Sequence, residues 1–524
     1  MKIPTHIPAH IVNQSDNGIN SWKGVLETIG ASFENIEGRY LLFLLQNYFK
    51  DLLPLTVIAE NNYTDRDFRS LYYRHYAKVY RSVERQSVRL HIFRDLISFK
   101  NICPPANDLV SLPYEGYLCL SLLDRPYLGR TVLRFYPNDK RDFICQTEHE
   151  ARLFGCKLSV KGFPFIWQDQ EVIRCAHVSL WMIHRYFSTR YNFYREALPH
   201  EILWDTEVPW KRLIPSGGLN VMQLGSILSA LGYHPEVLSR SEDPEDFFSV
   251  LHAYIESRIP VIACTRNHAV VIIGRSAPKA DHLTNSHRLY RKEGAYLTPY
   301  YDAADYCDSL IVNDDRNLFP YKYWNRKVNS LIQGTSTRTI KDVEFIIVPL
   351  YEKIFLSARL AKSHGLSLIS HPKIGIRSLI TKKIGKKILE NINLKDPLII
   401  RTVLTSSRTY LNYLTRTLSD ESTAQLLRYF NLPKFIWLVE ISTKDLFFKN
   451  VSIPGIKNEQ SGMKFGEILL DATAGRDFHT SWLFIRYPGV ILCNQVHTGP
   501  DFPHTIEVDD KGESFPEPML VNSF

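Results

Sequence analysis

A cysteine, a histidine, an aspartate and a pair of glutamines stand in the 524-residue chain where they could do chemistry together. In "WQDQEVIRCAHVSLWMIHRYF", residues 167–187, Cys175 falls where a polar run gives way to a helical apolar pattern. Ser179, Leu180, Ile183 and Phe187 then form an inward stripe. A thiol in the first turn of a helix lies at the positive end of the helix dipole, and Arg174 adds a neighbouring cation. Both favour the thiolate, the form that attacks carbonyl carbon. In "TRNHAVVIIGR" His268 opens a buried-type strand, from which an imidazole can reach a helix N-terminus across a cleft. Its near-neutral pKa suits it to general base work. In "LIVNDDRN" Asp314 ends another buried-type strand, where a carboxylate can fix the imidazole tautomer and stabilise its protonated form; Asn313 competes for that role. Gln168 and Gln170 lie just upstream of the cysteine, and either amide could donate to a developing oxyanion beside the Cys175 N–H. Taken singly, each residue has a plainer reading. Free cysteine is usually a small buried hydrophobe, a lone histidine is more often structural, and acidic residues commonly start turns.

The elements that must hold these residues can be read from periodicity and turn signals. "GRYLLFLLQNYFKDLLP" predicts a helix stopped at Pro54, and residues 1–105 read as mainly helical. "YEGYLCLSLLD" and "RTVLRFYP" are strand-like runs around the turn signal "RPYLG", which makes 106–160 a small β-rich region. Residues 161–350 alternate helices and strands. "SGGLNVMQLGSILSALGY" predicts a helix opened near Ser216 and closed by Gly232. "SEDPEDFFSVLHAYIESRIP" predicts a second helix, with Asp243 as N-cap and Pro244 in the first position. "PVIAC", "HAVVIIG" and "SLIVNDD" are buried-type strands, the first two joined at "TRN". Residues 276–308, long and polar, read as an insertion or mobile loop. In 351–524 a basic stretch carries Ile376, Ile380, Ile384 and Ile388 opposite Lys382, Lys383, Lys386 and Lys387, most simply a solvated helix face. After it, "KFIWLVEIS", "FGEILLDATA" and "SWLFIRYPGVILCN" predict a small, largely antiparallel sheet.

The order of these features carries more than any one of them. A glutamine, a cysteine at a helix start, two helices, a Pro-led strand, a His-led strand and an Asp-ended strand follow one another. In this order, residues 168 to about 320 resemble a papain-like cysteine peptidase. They are most similar to the branch of the double-glycine leader peptidases of bacteriocin exporters and certain bacterial effector proteases. The motifs that carry the likeness are "CAHVSLWMI", "RIPVI", "NHAVVIIG" and "LIVNDDRN". The resemblance implies Cys175 as nucleophile, His268 as base and acid, Asp314 as orienter, and Gln170 or Gln168 as oxyanion donor. It departs from the pattern at Ala176, at Asp315 and in the long 276–308 segment. The expected fold is α+β: a papain-like domain at 161–350, flanked by the mainly helical N-terminal region, the small β-rich region and an α+β C-terminal domain at 351–524.

The expected activity is a thiol hydrolase cleaving a protein or peptide substrate, with no cofactor and no metal. The alternatives are an acyl transferase with the same triad, or a non-catalytic binding or regulatory protein on that fold. The flanking regions read as recognition modules that could meet a regulatory partner. A net charge of +8 is mild for this length. It would fit weak contact with nucleic acid or anionic lipid but argues for solubility rather than for a particular partner, so neither nucleic acid nor membrane is the expected one. Eight dispersed cysteines without a C-x-x-C pair disfavour a zinc ribbon or a disulfide scaffold. Cys264 reads as core, and His177 and His184 have no metal-ligand spacing. With no signal-like apolar segment at the start, a cytoplasmic setting is expected.

Overall fold

The elements gather into three main sheets. The computed structural model describes residues 9–12, 19–30, 36–94, 112–204, 218–326, 342–381, 396–417, 425–452, 460–499, 503–507 and 517–521, apart from 124–125, 243, 245, 284–287, 293, 317–318 and 426. Helices and sheets contribute comparably, and the protein is α+β. Among the described residues no helix is long and apolar enough to cross a membrane.

Strands Ala9–Val12, Leu55–Tyr63, Ser87–Arg94, Tyr114–Leu122 and Pro126–Leu133 pair in that order as an antiparallel sheet. Helices Ile19–Thr28, Ile36–Phe49 and Arg66–Arg74 share its apolar core. The first 105 residues are therefore helical only in part, and the division expected at residue 105 runs through a sheet. The β-branched run Thr56, Val57 and Ile58 is fully buried and suits a pleated interior better than a helix. The expected "RPYLG" turn is shorter, because Pro126 already opens the next strand, a position where its missing N–H costs nothing. Over this sheet lies a hairpin, Thr147–Leu153 with Cys156–Gly162, whose residues alternate strictly between buried and exposed.

The central sheet runs Lys322–Asn325, Ser309–Asn313, His268–Arg275, Val261–Thr265, Val343–Leu350, His234–Ser239, antiparallel throughout. Phe143–Ile144 adds to the end of the His268–Arg275 strand. Gly274 permits that approach, since a Cβ there would lie 2.2 Å from the Phe143 carbonyl oxygen. Helix Val221–Ala230 opens on a reciprocal capping box between Asn220 and Gln223 and is followed by Gly232 at φ 91. The expected start near Ser216 lies outside the described residues. Helix Phe247–Glu256 begins after Asp246 rather than at Asp243, which also lies outside them. Asp246 anchors that start by accepting from Ser249 Oγ and from Lys362 Nζ at 2.9 Å.

Eight strands form the third sheet: Arg288–Tyr290, Thr298–Asp302, Leu398–Ser406, Phe435–Ser442, Gly466–Asp471, Trp482–Tyr487, Val490–Cys493 and Thr505–Glu507. It is antiparallel except where Thr298–Asp302 runs parallel to Leu398–Ser406. It is larger than the small sheet expected, and the 276–308 segment supplies two of its strands. Of the basic stretch, Ile376–Thr381 is helical with Ile376 and Leu379 buried; Ile384, Ile388 and the four lysines from Lys382 to Lys387 lie outside the described residues.

Buried ion pairs join these units. Asp67, fully buried, accepts from Arg130 Nε at 2.9 Å, from Arg185 at 2.8 Å and from Trp181 Nε1 at 3.1 Å. On the other side Glu256 bridges Arg275 and Arg401, and Arg401 also reaches Glu440. Lys464 bonds Glu440 at 2.9 Å and pairs with Glu467, and Arg486 joins Glu467 to Glu517 at 2.7 Å. Removing one member of such a chain leaves its neighbour charged and unpaired in a low-dielectric interior.

Candidate active site

The helix Cys175–Arg190 begins at Arg174, whose backbone N–H donates to His177 Nδ1 at 3.2 Å. It is buried on every side from Ala176 to Phe187, not along a single stripe. The reason is its position: it packs on the His268–Arg275 strand and also against the N-terminal unit through Trp181 and Arg185. His184 bonds Tyr233 Oη and the Arg195 carbonyl, and burial pushes its pKa down to about 4, so it is a structural group.

The two-residue turn Arg266–Asn267 brings His268 to the mouth of its strand, opposite the start of the Cys175 helix. One cavity of about 660 Å³ is lined by Gln168, Cys175, His268 and Ala269. Asp314 follows the Ser309–Asn313 strand and accepts from His268 Nε2 at 2.8 Å. A carboxylate only accepts, so the proton sits on Nε2, and the neutral ring keeps Nδ1 as its basic nitrogen. Burial opposes ionisation of Asp314, but the hydrogen bond from His268, with the Arg316 N–H and guanidinium, outweighs it and holds its pKa below the usual value. Asn313 instead accepts from the Tyr321 N–H at 3.0 Å, so the aspartate, not the asparagine, bonds the imidazole.

The thiol differs from expectation. Burial pushes the Cys175 pKa up, and the Asp315 carboxylate pushes it further; the Ala269 N–H, Arg316 and the Ala176 N–H act in the opposite direction and lose. The helix start and Arg174 therefore do not produce a standing thiolate, because desolvation dominates. Cys264 is buried close by, with its pKa pushed up to about 12 by burial and by Cys175.

Of the two glutamines, Gln168 lines the cavity beside Cys175, whereas Gln170 does not and takes a left-handed backbone conformation, φ 66. Between them Asp169 turns inward and accepts from the N–H groups of Glu171, Val172 and Ile173 at 2.8–3.0 Å. Tyr76 Oη donates to the same carboxylate at 2.8 Å, and His75 and Arg81 pair with Glu171. The N-terminal unit thus holds the loop that carries Gln168. Sequence reasoning missed Asp169, Tyr76 and Glu171, and noted Asp315 only as a departure from the pattern. An aspartate two residues before a polar turn was the one local signal available.

The cavity is also lined by the apolar Leu219, Val221 and Leu224 and by the charged Arg174, Arg266, Arg316 and Glu344. His268, Asp314 and Asp315 place one ligand atom each within 4.8 Å of one another, the one such cluster found among the described residues. Asp315 Oδ1 lies 3.7 Å from His268 Nε2. Comparisons with known proteins by family model, by curated sequence and by solved structure find no match.

Proposed function

We propose that the chain is a cysteine-dependent hydrolase, a peptidase cleaving a protein or peptide amide through Cys175, His268 and Asp314 on a papain-like arrangement. The observation that carries this reading is the 2.8 Å His268–Asp314 bond on the same cavity as a thiol at a helix start. His268 Nδ1 takes the thiol proton as Cys175 attacks the carbonyl, so the thiolate forms during reaction and not before it. Gln168, with the Cys175 N–H, is the better placed oxyanion donor. His268 then protonates the leaving amine, and water activated by the same ring releases the acyl group. A cytoplasmic setting fits a nucleophile that must stay reduced. An acceptor amine or alcohol in place of water would make the same site an acyl transferase.

An electrophilic thiol probe tests the reading. It should label Cys175 faster than the other seven cysteines and more slowly in His268→Ala. Wild type compared with Cys175→Ala by N-terminal peptide enrichment then identifies cleaved proteins. Uniform labelling with no Cys175-dependent cleavage refutes the catalytic reading and leaves a binding protein. A second reading, a metal centre at His268, Asp314 and Asp315, is favoured by their 4.8 Å clustering. It predicts activity lost to a chelator and kept in Cys175→Ala, the reverse of the first.

A further inference from the structure

The segment 66–86, "RDFRSLYYRHYAKVYRSVERQ", interleaves cations with tyrosines on the N-terminal unit. The mild net charge of the whole chain conceals this concentration. The segment runs from the helix Arg66–Arg74 through a short turn at Tyr76–Lys78 and a loop to the strand Ser87–Arg94. Six of its residues are lysine or arginine, and two of these are already committed. Arg66 pairs with Glu196 at 3.4 Å, and Arg81 shares Glu171 with His75 at 2.5 and 3.0 Å. Among the described residues the other four, Arg69, Arg74, Lys78 and Arg85, pair with no carboxylate. Of the segment's own two acids, Asp67 is buried against Arg130 and Arg185. Glu84 accepts from the Arg85 and Gln86 N–H groups. Set against Glu84, the four cations leave an excess of three positive charges.

These cations stand among aromatic rings. Arg69 donates to Thr64 Oγ1 and to Tyr73 Oη, both at 3.3 Å, with its guanidinium 5.6 Å from the Tyr73 ring centre. Arg85 reaches the same phenol oxygen from the loop, so helix and loop are gathered at Tyr73. Arg74, Lys78 and Arg85 are exposed. Tyr80, between Lys78 and Arg81, is fully exposed, and among the described residues no ring or cation stacks on it. Unmatched cations beside a bare aromatic face are the two parts of a site for a flexible polyanion that carries planar groups.

We propose that this surface binds single-stranded nucleic acid, with phosphates on Arg74, Lys78 and Arg85 and a base stacked on Tyr80. Cations that hold no carboxylate give up only water and salt ions when they take a phosphate, and the strand's released counterions favour the exchange. An acidic peptide would satisfy the cations and leave Tyr80 bare. A duplex keeps its bases stacked on one another, out of reach of the ring. Binding here requires nothing of Cys175.

A fluorescein-labelled oligothymidylate of about 16 nucleotides, titrated with the full-length protein, should bind saturably by anisotropy, with log affinity falling linearly in log salt. Arg74→Gln, Lys78→Gln and Arg85→Gln combined should weaken binding by about tenfold or more. The salt slope should flatten by about 2, since each phosphate contact on a single strand contributes about 0.7. Tyr80→Ala should weaken binding by about fivefold or more and leave the salt slope unchanged. All four side chains are exposed, so neither variant should lose melting temperature, and a fall in binding reports the surface itself. Unchanged affinity in either variant overturns the proposal, as does tighter binding of a duplex of the same length. Polyglutamate of matched charge that competes equally well, indifferent to Tyr80→Ala, makes the partner an acidic protein and overturns nucleic acid.

Discussion

Replacing Asp67 with alanine removes the anion that holds Arg130, Arg185 and Trp181 together beneath the Cys175 helix. Hydrogen bonds to a charged group contribute about 1.5–3 kcal/mol each, but three on one carboxylate are not additive. Glu196 stays beside both guanidiniums, so neither is left bare. The expected loss is therefore about 3 kcal/mol, the low end for breaking a buried pair. For a cooperative unit of a few hundred residues that is a fall of about 6–12 °C in melting temperature, read by calorimetry. Because Trp181 and Arg185 belong to the helix that Cys175 starts, thiol alkylation should change with it. Asp67→Asn keeps an acceptor for Trp181 and should lose less. Burial opposes ionisation of Asp67, yet Arg130 and Arg185 hold its pKa below the usual value. The stability it contributes is thus present above the ordinary carboxylate pKa and lost as pH falls through the native one. The gap between wild type and Asp67→Ala should narrow in acid. A loss under about 1 kcal/mol, or a gap that widens in acid, would refute the reasoning, since such values belong to surface pairs.

Asp65 behaves in the opposite sense. Burial and the Asp67 charge raise its pKa, so its ionised form strains the fold and wild type gains stability as pH falls through that raised value. Asp65→Asn, which can still accept the Asp67 N–H, should be more stable at pH 8 by on the order of 1 kcal/mol, a gain that urea midpoints should show vanishing in acid. Alkylation of Cys175 should keep rising with pH above the ordinary thiol range, and Asp315→Asn should speed it several-fold at pH 7.5 by removing a charge that disfavours thiolate; an unchanged or slower rate contradicts this. Tyr76→Phe deletes the 2.8 Å bond to Asp169 and should loosen the Gln168 loop by about 1 kcal/mol. Hydrogen exchange at Glu171–Ile173 should accelerate while the melting temperature stays nearly constant.

The residues legible in the sequence were those whose chemistry coincides with a local boundary. Cys175 stands at a change of periodicity, and His268 and Asp314 each stand at the end of an apolar run, so their elements were found with them. What stayed hidden depends on contacts between distant segments. "LTVIAENNY" reads as a short apolar run in a helical region until its partners at 9–12 and 87–94 are known. The thiol's pKa is set by burial beneath residues far along the chain, and no spacing around Cys175 reports that. Asp67 looks like an ordinary helix-start acid in "TDRDFR", and only the fold carries Arg130 and Arg185 to it.

The parallel pairing of Thr298–Asp302 with Leu398–Ser406 bears on how this gene can be cut or rearranged. A fragment ending at residue 350 would carry Thr298–Asp302 without the strand that covers its edge, exposing unpaired backbone groups that invite aggregation. The same cut would strip Arg401 from buried Glu256. Nonsense alleles that stop the chain before Leu398 should therefore behave as complete losses, and the Cys175 segment should not be recoverable as a minimal expressed fragment. Whatever the cysteine does, the cell inherits it with its C-terminal third attached.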